Sequence, residues 1–190
     1  IMLDQLDKEL EARGLRYTRY ADDCIILVGS SKAADRVMKN VSIFIESKLG
    51  LKVNMTKSKV SKPNDIKYLG FGFFMDKNDG LWKAKPHAKS VEKLKLKLKK
   101  LTSRRWSISL DERLEKIKKA IVGWTNYYKI GYWKDVARLV DAHVRFRLRM
   151  CIWKQWKKVK TKKKALICLG VPKREAWMLA NSRKAYARCA

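Results

Sequence analysis

The sequence of 190 residues has an apolar fraction of 46%, which is ordinary for a globular protein and argues against intrinsic disorder. Its four scattered cysteines include no CxxC pair, which excludes a zinc site or disulfide framework of the usual spacing, and free thiols are typical of a reducing cytoplasm. The formal net charge of +28 predicts a polyanionic partner, with nucleic acid favoured and an anionic membrane surface as the alternative.

The first predicted elements are a helix and a strand hairpin. The helix covers residues 2–13 and ends at Gly14, a residue suited to a helix C-terminus. Its apolar face is formed by Met2, Leu3, Leu6 and Leu10. Two β-rich runs follow, and the polar segment 21–23 between them predicts the tip of a hairpin.

A second helix and three further strands follow the hairpin. Ser30 and Ser31 can cap a helix over about 32–49. Six apolar residues are expected on its buried face: Ala34, Val37, Met38, Val41, Phe44 and Ile45. Strands are predicted over 51–54, 66–75 and 81–85. A turn at 77–80 joins the last two strands, and this order of elements predicts an α+β fold.

The charge is distributed unevenly along the chain. The first 80 residues carry a net charge of +3, whereas the rest of the chain carries +25. Such asymmetry indicates two modules with different roles. We divide the chain after Pro86 into an α+β module, residues 1–86, and a basic all-α module, residues 87–190.

The second module contains a series of predicted helices. A capping box, Ser109-x-x-Glu112, marks the start of a long helix that reaches Tyr128. The other helices are predicted over 87–102, 135–158, 162–169 and 174–188. No apolar run approaches the length of a membrane span, and the helices mix rings with charge, so we expect no membrane partner.

Asp22 and Asp23 lie side by side at the predicted hairpin tip, where their charges repel each other. A hard divalent cation removes this cost, because magnesium binds carboxylate oxygens. Two such ions about 3.5–4 Å apart can activate a 3′ hydroxyl and stabilise a leaving pyrophosphate. An isolated aspartate pair is more often an ordinary polar turn. The Tyr-Ala dipeptide before this pair and the apolar run after it favour a metal site.

Residues 20–23, with the sequence YADD, resemble the YADD box of reverse transcriptases, which occurs in group II intron proteins, retron enzymes and diversity-generating retroelements. Two further blocks follow in the order found in that family. The first comprises 49–54 (LGLKVN) with 57–58 (KS), and the second is 68–71 (YLGF). Three ordered blocks are more specific than any one alone.

This resemblance implies roles for the residues of the first two blocks. Asp22 and Asp23 are expected to be catalytic ligands of magnesium, and Tyr20 to lie near the primer terminus. Lys57 is expected to assist the departing pyrophosphate. A solvated turn lysine is the competing interpretation of Lys57.

The third block implies contact with the primer end of the template-primer through Tyr68, Gly70 and Phe71. The competing interpretation of Tyr68 and Phe71 is a strand core. Gly70 within a strand weakens that strand and so indicates a close backbone approach.

The resemblance also implies components that this sequence does not supply. In the family, a further catalytic aspartate and the pocket for the incoming deoxynucleoside triphosphate come from an earlier strand, and the chain begins after it. We therefore expect the chain alone to be inactive or nearly so. The N-terminal half of the polymerase is an expected partner.

Basic side chains of the second module are predicted to contact nucleic acid through its phosphates. The eight candidates are Lys93, Lys97, Lys100, Arg104, Arg105, Arg145, Arg149 and Lys157. Arg147 and Lys154 are assigned to the same surface. Large rings interleave with these cations and could stack on bases, but Trp124, Tyr128 and Trp153 are expected to be core.

Residues 121–128 (IVGWTNYY) resemble the maturase-specific signature, which serves as polymerase thumb and holds intron RNA in that family. Val122 stands where arginine is common, which removes one phosphate contact. The tail at 180–187 resembles a segment that usually carries glycine and tryptophan where this chain has Ala185 and Ala187, so the role of the last helix stays open.

The resemblance as a whole implies the C-terminal part of a right-hand polymerase palm followed by an all-α thumb and maturase (X) domain. The parent protein is expected to copy intron RNA into DNA with magnesium, to assist intron splicing, and to act in the bacterial cytoplasm or nucleoid. Two alternatives remain: an RNA-binding splicing cofactor without polymerase activity, and an inactive remnant.

Overall fold

The computed structural model describes residues 3–182, so Met2 and the end of the predicted last helix lie outside the described residues. The chain divides into two compact units, Ile1–Phe74 and Met75–Ala190. Helices predominate, and the strands of the described part form two small sheets of two strands each. This composition is compatible with the predicted α+β class.

The first unit is built from two helices and a hairpin. Its elements are α1 (Asp4–Ala12), β1 (Arg16–Tyr20), β2 (Asp23–Leu27) and α2 (Ser31–Lys48). Gly14 follows α1 with a φ of 64°, a conformation that costs glycine little, and the predicted stop is confirmed. Ser30 is confirmed as the cap of α2, because its Oγ accepts a hydrogen bond from the Ala33 N–H at 3.2 Å.

The core of the first unit is formed by α1, α2 and the residues around them. Leu6 and Leu10 of α1 are buried together with Val41 and Leu49. Half-buried apolar residues pack around them: Leu3, Leu15, Tyr17, Ile26, Val37, Phe44, Ile45 and Leu51. The predicted apolar face of α1 is confirmed for the three described leucines. On α2, Val41 is buried and the other five predicted residues are half-buried.

The prediction of a strand over 51–54 is wrong. Within the described residues this segment pairs with no strand. Leu51 packs against the core of the first unit, so its apolar character reflects burial and not strand pairing. Asn54 then starts a turn, because its Oδ1 accepts hydrogen bonds from the N–H groups of Thr56 and Lys57, both at 3.2 Å.

The strand predicted over 66–75 is shorter than expected. Its observed counterpart, β3, spans Phe71–Met75 and pairs with β4, Trp82–Pro86. The predicted turn between them is confirmed, and Lys83 Nζ bridges Asp76 and Asp79 across it at 2.6 Å each.

Five helices make up the rest of the second unit within the described residues. They are α3 (Ala88–Leu101), α4 (Leu110–Tyr128), α5 (Lys134–Gln155), α6 (Val159–Cys168) and α7 (Lys173–Asn181). The predicted start of α4 is confirmed, because Ser109 Oγ accepts the Glu112 N–H at 3.1 Å. None of the described helices is long and apolar enough to cross a membrane.

The core of the second unit lies where α3 packs against α4 and α5. Its buried residues are Leu94, Leu98, Ile117, Val140 and Val144. Trp124 and Leu101 are among the half-buried residues that pack against this core. Burial of each such side chain contributes about 1.5–3 kcal/mol.

Candidate functional site

The carboxylate pair lies on the tight turn that joins β1 to β2. Tyr20 pairs with Asp23 across the ladder, so Ala21 and Asp22 alone form the loop. Asp23 is therefore the first residue of β2, whereas the sequence placed it in the tip. Asp22 and Asp23 are both exposed. Tyr20, beside them, has 66% of its surface exposed and is free to meet a large ligand.

Ala21 adopts a strained conformation that matches the twist of the hairpin. Its φ is 51°, in the left-handed region, which costs a residue with a Cβ about 1–2 kcal/mol. Two-residue hairpin loops favour positive φ at their first position, because this matches the right-handed twist of the strands. Such strain persists only where surrounding contacts impose it.

One such contact comes from Arg19, whose guanidinium joins the turn to α1. Its Nη1 donates to the Ala21 carbonyl at 2.9 Å. Its Nε donates to Asp7 Oδ1 at 2.7 Å, and its Nη2 donates to Asp7 Oδ2. Both side chains are about four-fifths buried. The hydrogen bonds from Arg19 lower the pKa of Asp7, and those to Asp7 raise the pKa of Arg19, so both groups stay charged at neutral pH.

A second strained turn lies beside the first. Tyr68 and Phe71 exchange both backbone hydrogen bonds, at 2.8 and 2.9 Å, around Leu69 and Gly70. Leu69 has a φ of 48° and Gly70 a φ of 82°, as in a mirror-image hairpin turn. Gly70 is thus a turn residue, and its expected place within a strand is wrong. The glycine is needed for positive φ, which explains its presence there.

Tyr68 brings this second turn against the carboxylate pair. Its hydroxyl donates to the backbone carbonyl of Asp23 at 3.5 Å. Phe71, in contrast, is buried, which favours its interpretation as core. Within the described part, Ala21 and Leu69 are the non-glycine residues with positive φ, and they lie in two neighbouring turns. Clustered backbone strain of this kind is typical of functional sites.

The donor set of the first turn fits part of a magnesium site. Two adjacent exposed carboxylates offer the hard oxygen atoms that magnesium prefers. Among residues 3–182, no group of three or more His, Cys, Asp or Glu side chains gathers to complete a cage. The pair therefore offers two ligands and leaves further positions for oxygen atoms from elsewhere.

The structure places Lys57 on an exposed turn whose shape is set by Asn54. Thr56 contributes to the same turn, because its Oγ1 donates to Asn54 Oδ1 at 2.7 Å. This geometry presents the Lys57 amine to solvent. This exposed position is compatible with both interpretations of Lys57, a solvated turn lysine and a lysine that contacts the departing pyrophosphate.

In the second unit, one face of α3 is a row of lysines. Lys93, Lys97 and Lys100 are all exposed, at the spacing that aligns side chains along one side of a helix. A different side of the helix, about 100° around its axis, carries Leu94 and Leu98 into the core. The three candidates are thus held on a rigid element and remain open to phosphate.

Arg104 and Arg105 lie on a loop after α3, and the side chain of Arg113 holds this loop in place. Arg113, with 2% exposure, donates to the carbonyls of Leu101, Ser103 and Trp106 at 2.7–3.1 Å. Both loop arginines are exposed. Sequence reasoning did not single out Arg113, although an arginine at an apolar helix position is a signal that its charge is buried against a partner.

Two cations assigned to the basic surface have structural contacts instead. Arg147 is half-buried and donates to Thr102 Oγ1 and to the carbonyls of Lys99 and Thr102 at 3.0–3.2 Å. Lys154 donates to the Arg104 carbonyl at 2.9 Å. Arg147 Nε and Nη2 are thus engaged by groups at the end of α3, which favours a structural role for this residue over a phosphate contact.

The remaining basic candidates are on or after α5, and all are exposed. Arg145 pairs with Asp141 at 2.8 Å, an exposed contact one helical turn away that contributes little and exchanges easily. Arg149 lies one turn further along the same helix, and Lys157 follows its end. These three positions keep their predicted role as candidates.

His143 marks the place where the cations of α3 and α5 converge. Burial lowers its pKa, and the positive charges of Arg147, Lys95 and Lys99 lower that pKa further. The imidazole is therefore neutral at pH 7.

Of the three aromatic residues expected in the core, Trp124 and Tyr128 are confirmed, whereas Trp153 is only half-buried and, within the described residues, is not among those packed against the core. Trp124 packs against the core, and Tyr128 is buried with its ring 4.4 Å from that of Trp124. Tyr127 is exposed. Val122, where arginine is common in the signature, is also exposed on α4. An arginine at that position would therefore reach solvent.

Comparison with family models gives two matches in separate parts of the chain. The reverse transcriptase (RNA-dependent DNA polymerase) model matches residues 1–73. The model for the group II intron, maturase-specific domain matches residues 91–168. No curated protein matches the chain.

Proposed function

Because the chain belongs to the group II intron reverse transcriptase/maturase family, we propose that it forms the C-terminal part of a polymerase palm, residues 1–86, and a thumb and maturase domain, residues 87–190. The parent protein copies intron RNA into DNA and assists splicing of that RNA. Its substrates are deoxynucleoside triphosphates and an RNA/DNA template-primer.

The strained β1–β2 turn is the observation that carries the polymerase proposal. Asp22 and Asp23 bind magnesium, which supplies positive charge for phosphoryl transfer when it is bound. Tyr20, exposed beside the pair, contacts the primer terminus. Lys57 stabilises negative charge on the departing pyrophosphate. A further carboxylate and the nucleotide pocket come from the N-terminal half of the polymerase.

The exposed cations of the second unit bind nucleic acid by its backbone. Lys93, Lys97 and Lys100 form one row on α3, and Arg104 with Arg105 extends the basic surface onto the adjoining loop. Phosphate contacts of this kind fix the position of a nucleic acid without reading its sequence. Arg145, Arg149 and Lys157 act in the same way.

Primer extension on an RNA template with magnesium tests the polymerase proposal. The chain is assayed alone and after mixing with a separately made N-terminal half from a related enzyme. We expect activity in the mixture that Asp22→Asn reduces by at least about 100-fold, since the variant removes the charge of one metal ligand. Asp35→Asn removes an exposed carboxylate of α2 and is the matched control.

A splicing cofactor without polymerase activity is the second candidate, and it is supported by the net charge of +25 beyond residue 80. It predicts salt-sensitive binding of intron RNA that Asp22→Asn leaves unchanged, together with failure of the mixture to extend a primer. Retained RNA binding without extension would favour this candidate.

A further inference from the structure

Arg19 and Asp7 form a contact that no catalytic role yet explains. Arg19 uses three donors of its rigid guanidinium fork, two on the Asp7 carboxylate and one on the Ala21 carbonyl. The alternation of β1 turns Arg19 inward on the same side as Tyr17, which packs against the core. The guanidinium therefore binds Asp7 on one side and the Ala21 carbonyl of the turn on the other.

The Ala21 carbonyl belongs to the peptide unit that leads into Asp22. A peptide unit is planar, so a hydrogen bond that holds its oxygen also fixes the direction of the following N–H and Cα. On the other side of the pair, the Tyr68 hydroxyl contacts the Asp23 carbonyl at 3.5 Å. Arg19 thus holds the peptide unit before Asp22, and Tyr68 makes a longer contact with the peptide unit after Asp23.

We propose that Asp7 and Arg19 are positioning residues, which hold the Ala21 carbonyl and so fix the turn in the conformation that presents both carboxylates to one cation. The inference rests on the metal-binding role proposed for the pair. Arg19 touches neither metal nor substrate, and Asp7 acts through Arg19. Tyr68 supports the same turn from its second side.

Divalent manganese is a probe that tests this inference on the chain itself, without polymerase activity. Its paramagnetism broadens the amide NMR signals of nearby residues, here those of residues 20–24. Arg19→Met keeps the aliphatic stem and removes the donors. We expect it to raise the manganese concentration needed for half-broadening by about 10-fold, the lower end of the effect of removing a partner of a metal ligand.

Arg13→Met is the matched control, because Arg13 pairs with Glu9 across one turn of α1 at an exposed position. It should leave the half-broadening concentration unchanged within about twofold, since exposed ion pairs contribute little. An Arg19→Met effect no larger than that of Arg13→Met overturns the inference.

A charge exchange separates positioning from simple stabilisation of the fold. Asp7→Arg combined with Arg19→Asp restores an ion pair between α1 and β1, but a carboxylate at position 19 cannot donate to the Ala21 carbonyl. We expect urea unfolding to return toward that of the unmodified chain while manganese affinity stays low. Recovery of both stability and manganese affinity would show that Asp7 and Arg19 only stabilise the fold, and it would overturn the inference.

The remaining outcomes distinguish this inference from the polymerase proposal. Manganese binding that depends on Arg19, together with failure of the mixture to extend a primer, supports the inference and contradicts the polymerase. Primer extension with no effect of Arg19→Met on kcat, KM or manganese binding supports the polymerase and overturns the inference. If manganese leaves the signals of 20–24 unchanged in the unmodified chain, the pair binds no cation by itself and the inference is overturned, whereas the polymerase proposal is then decided by primer extension in the mixture.

Discussion

Arg113 differs from the exposed cations of the second unit because backbone carbonyls surround its guanidinium. It donates to three of them, all in or next to the loop that follows α3. Its Cζ also lies 5.9 Å from the centre of the Trp106 ring, which adds a cation–π contact. A buried charge with these partners shapes the loop, whereas Arg104 and Arg105 on that loop remain exposed.

Replacement of Arg113 by leucine should therefore destabilise the protein. We expect Arg113→Leu to lower the free energy of unfolding by at least about 2 kcal/mol, because each buried carbonyl left unpaired costs about 1–3 kcal/mol. Urea denaturation measures the change. Arg138→Leu, at an exposed position of α5, is the matched control and should change stability by less than about 0.5 kcal/mol. Equal effects of the two variants would contradict a structural role for Arg113.

His143 gives the protein a stability that depends on pH. Its pKa in the folded protein lies below the ordinary value of 6.5, mainly because of burial and then because of Arg147, Lys95 and Lys99. As pH falls below 6.5, the unfolded chain takes up a proton that the folded protein resists. The stability contributed by the neutral imidazole is therefore complete above pH 6.5 and decreases as pH falls from there toward the folded pKa.

We expect His143→Gln to flatten this part of the stability profile. Urea unfolding at several values between pH 5 and 8 should show a loss toward acid in the unmodified protein that is smaller in the variant. The difference between the two proteins isolates His143 from the carboxylates, whose contribution changes at lower pH. Parallel profiles in this range would refute the assignment.

At the scale of elements, α3 has a buried apolar face and an exposed row of lysines beside it. Leu94 and Leu98 face the core, and the row of lysines faces solvent. Leu98 is fully buried, whereas Leu96, two residues earlier, has 51% of its surface exposed. The same residue type thus has two different environments on one helix, which makes a matched comparison possible.

Leu98→Ala should destabilise the protein by about 2–5 kcal/mol, through lost burial and the cavity left in the core. Leu96→Ala should change stability by less than about 0.5 kcal/mol, because the side chain it shortens is already largely in water. Thermal unfolding of both variants measures the difference. If Leu96→Ala costs as much as Leu98→Ala, the orientation of α3 described here is incorrect.

Local signals explain which elements could be predicted from the sequence. The serine caps at Ser30 and Ser109 and the glycine at Gly14 act within one helical turn, and each is confirmed. The prediction of a strand over 51–54 is wrong because a strand needs a neighbouring strand to pair with. A short alternation of apolar residues gives no information about such a neighbour. The turn at 68–71 was missed because its positive φ at Leu69 is unusual for a side chain with a Cβ.

The sequence predicts which residues form the candidate site but not the contacts that support them. Asp22 and Asp23 were recognisable because the motif lies within four consecutive residues. The Asp7–Arg19 contact joins residues twelve positions apart on two elements, and no spacing rule pairs them. The available signal for this contact was Arg19, which faces inward on the same strand as Tyr17. A buried charge of this kind requires a partner.

For the whole molecule, the uneven charge predicts that nucleic-acid affinity lies mainly in one part of the chain. Residues up to 80 carry a net charge of +3, and the remainder carries +25. Several of the later cations, such as Arg113 and Arg147, bind carbonyls of the protein itself. The net charge therefore overestimates the number of cations that are available to phosphate. The exposed lysine row on α3 is the more direct candidate for such contacts.

The salt dependence of RNA binding tests that row directly. Each phosphate contact with single-stranded RNA contributes about 0.7 to the slope of log affinity against log salt concentration. The triple variant Lys93→Gln, Lys97→Gln and Lys100→Gln should therefore reduce the slope by about 2. Fluorescence anisotropy with labelled RNA at several salt concentrations measures it.

A second triple variant controls for the loss of three charges. Lys32→Gln, Lys39→Gln and Lys48→Gln remove three exposed lysines from α2, so the two variants have the same net charge. If RNA contacts the α3 row, the α2 variant keeps the original slope apart from a weak long-range effect that salt screens. Equal reductions would mean that net charge, and not the lysine row, controls binding, and the nucleic-acid interface would then lie elsewhere on the protein.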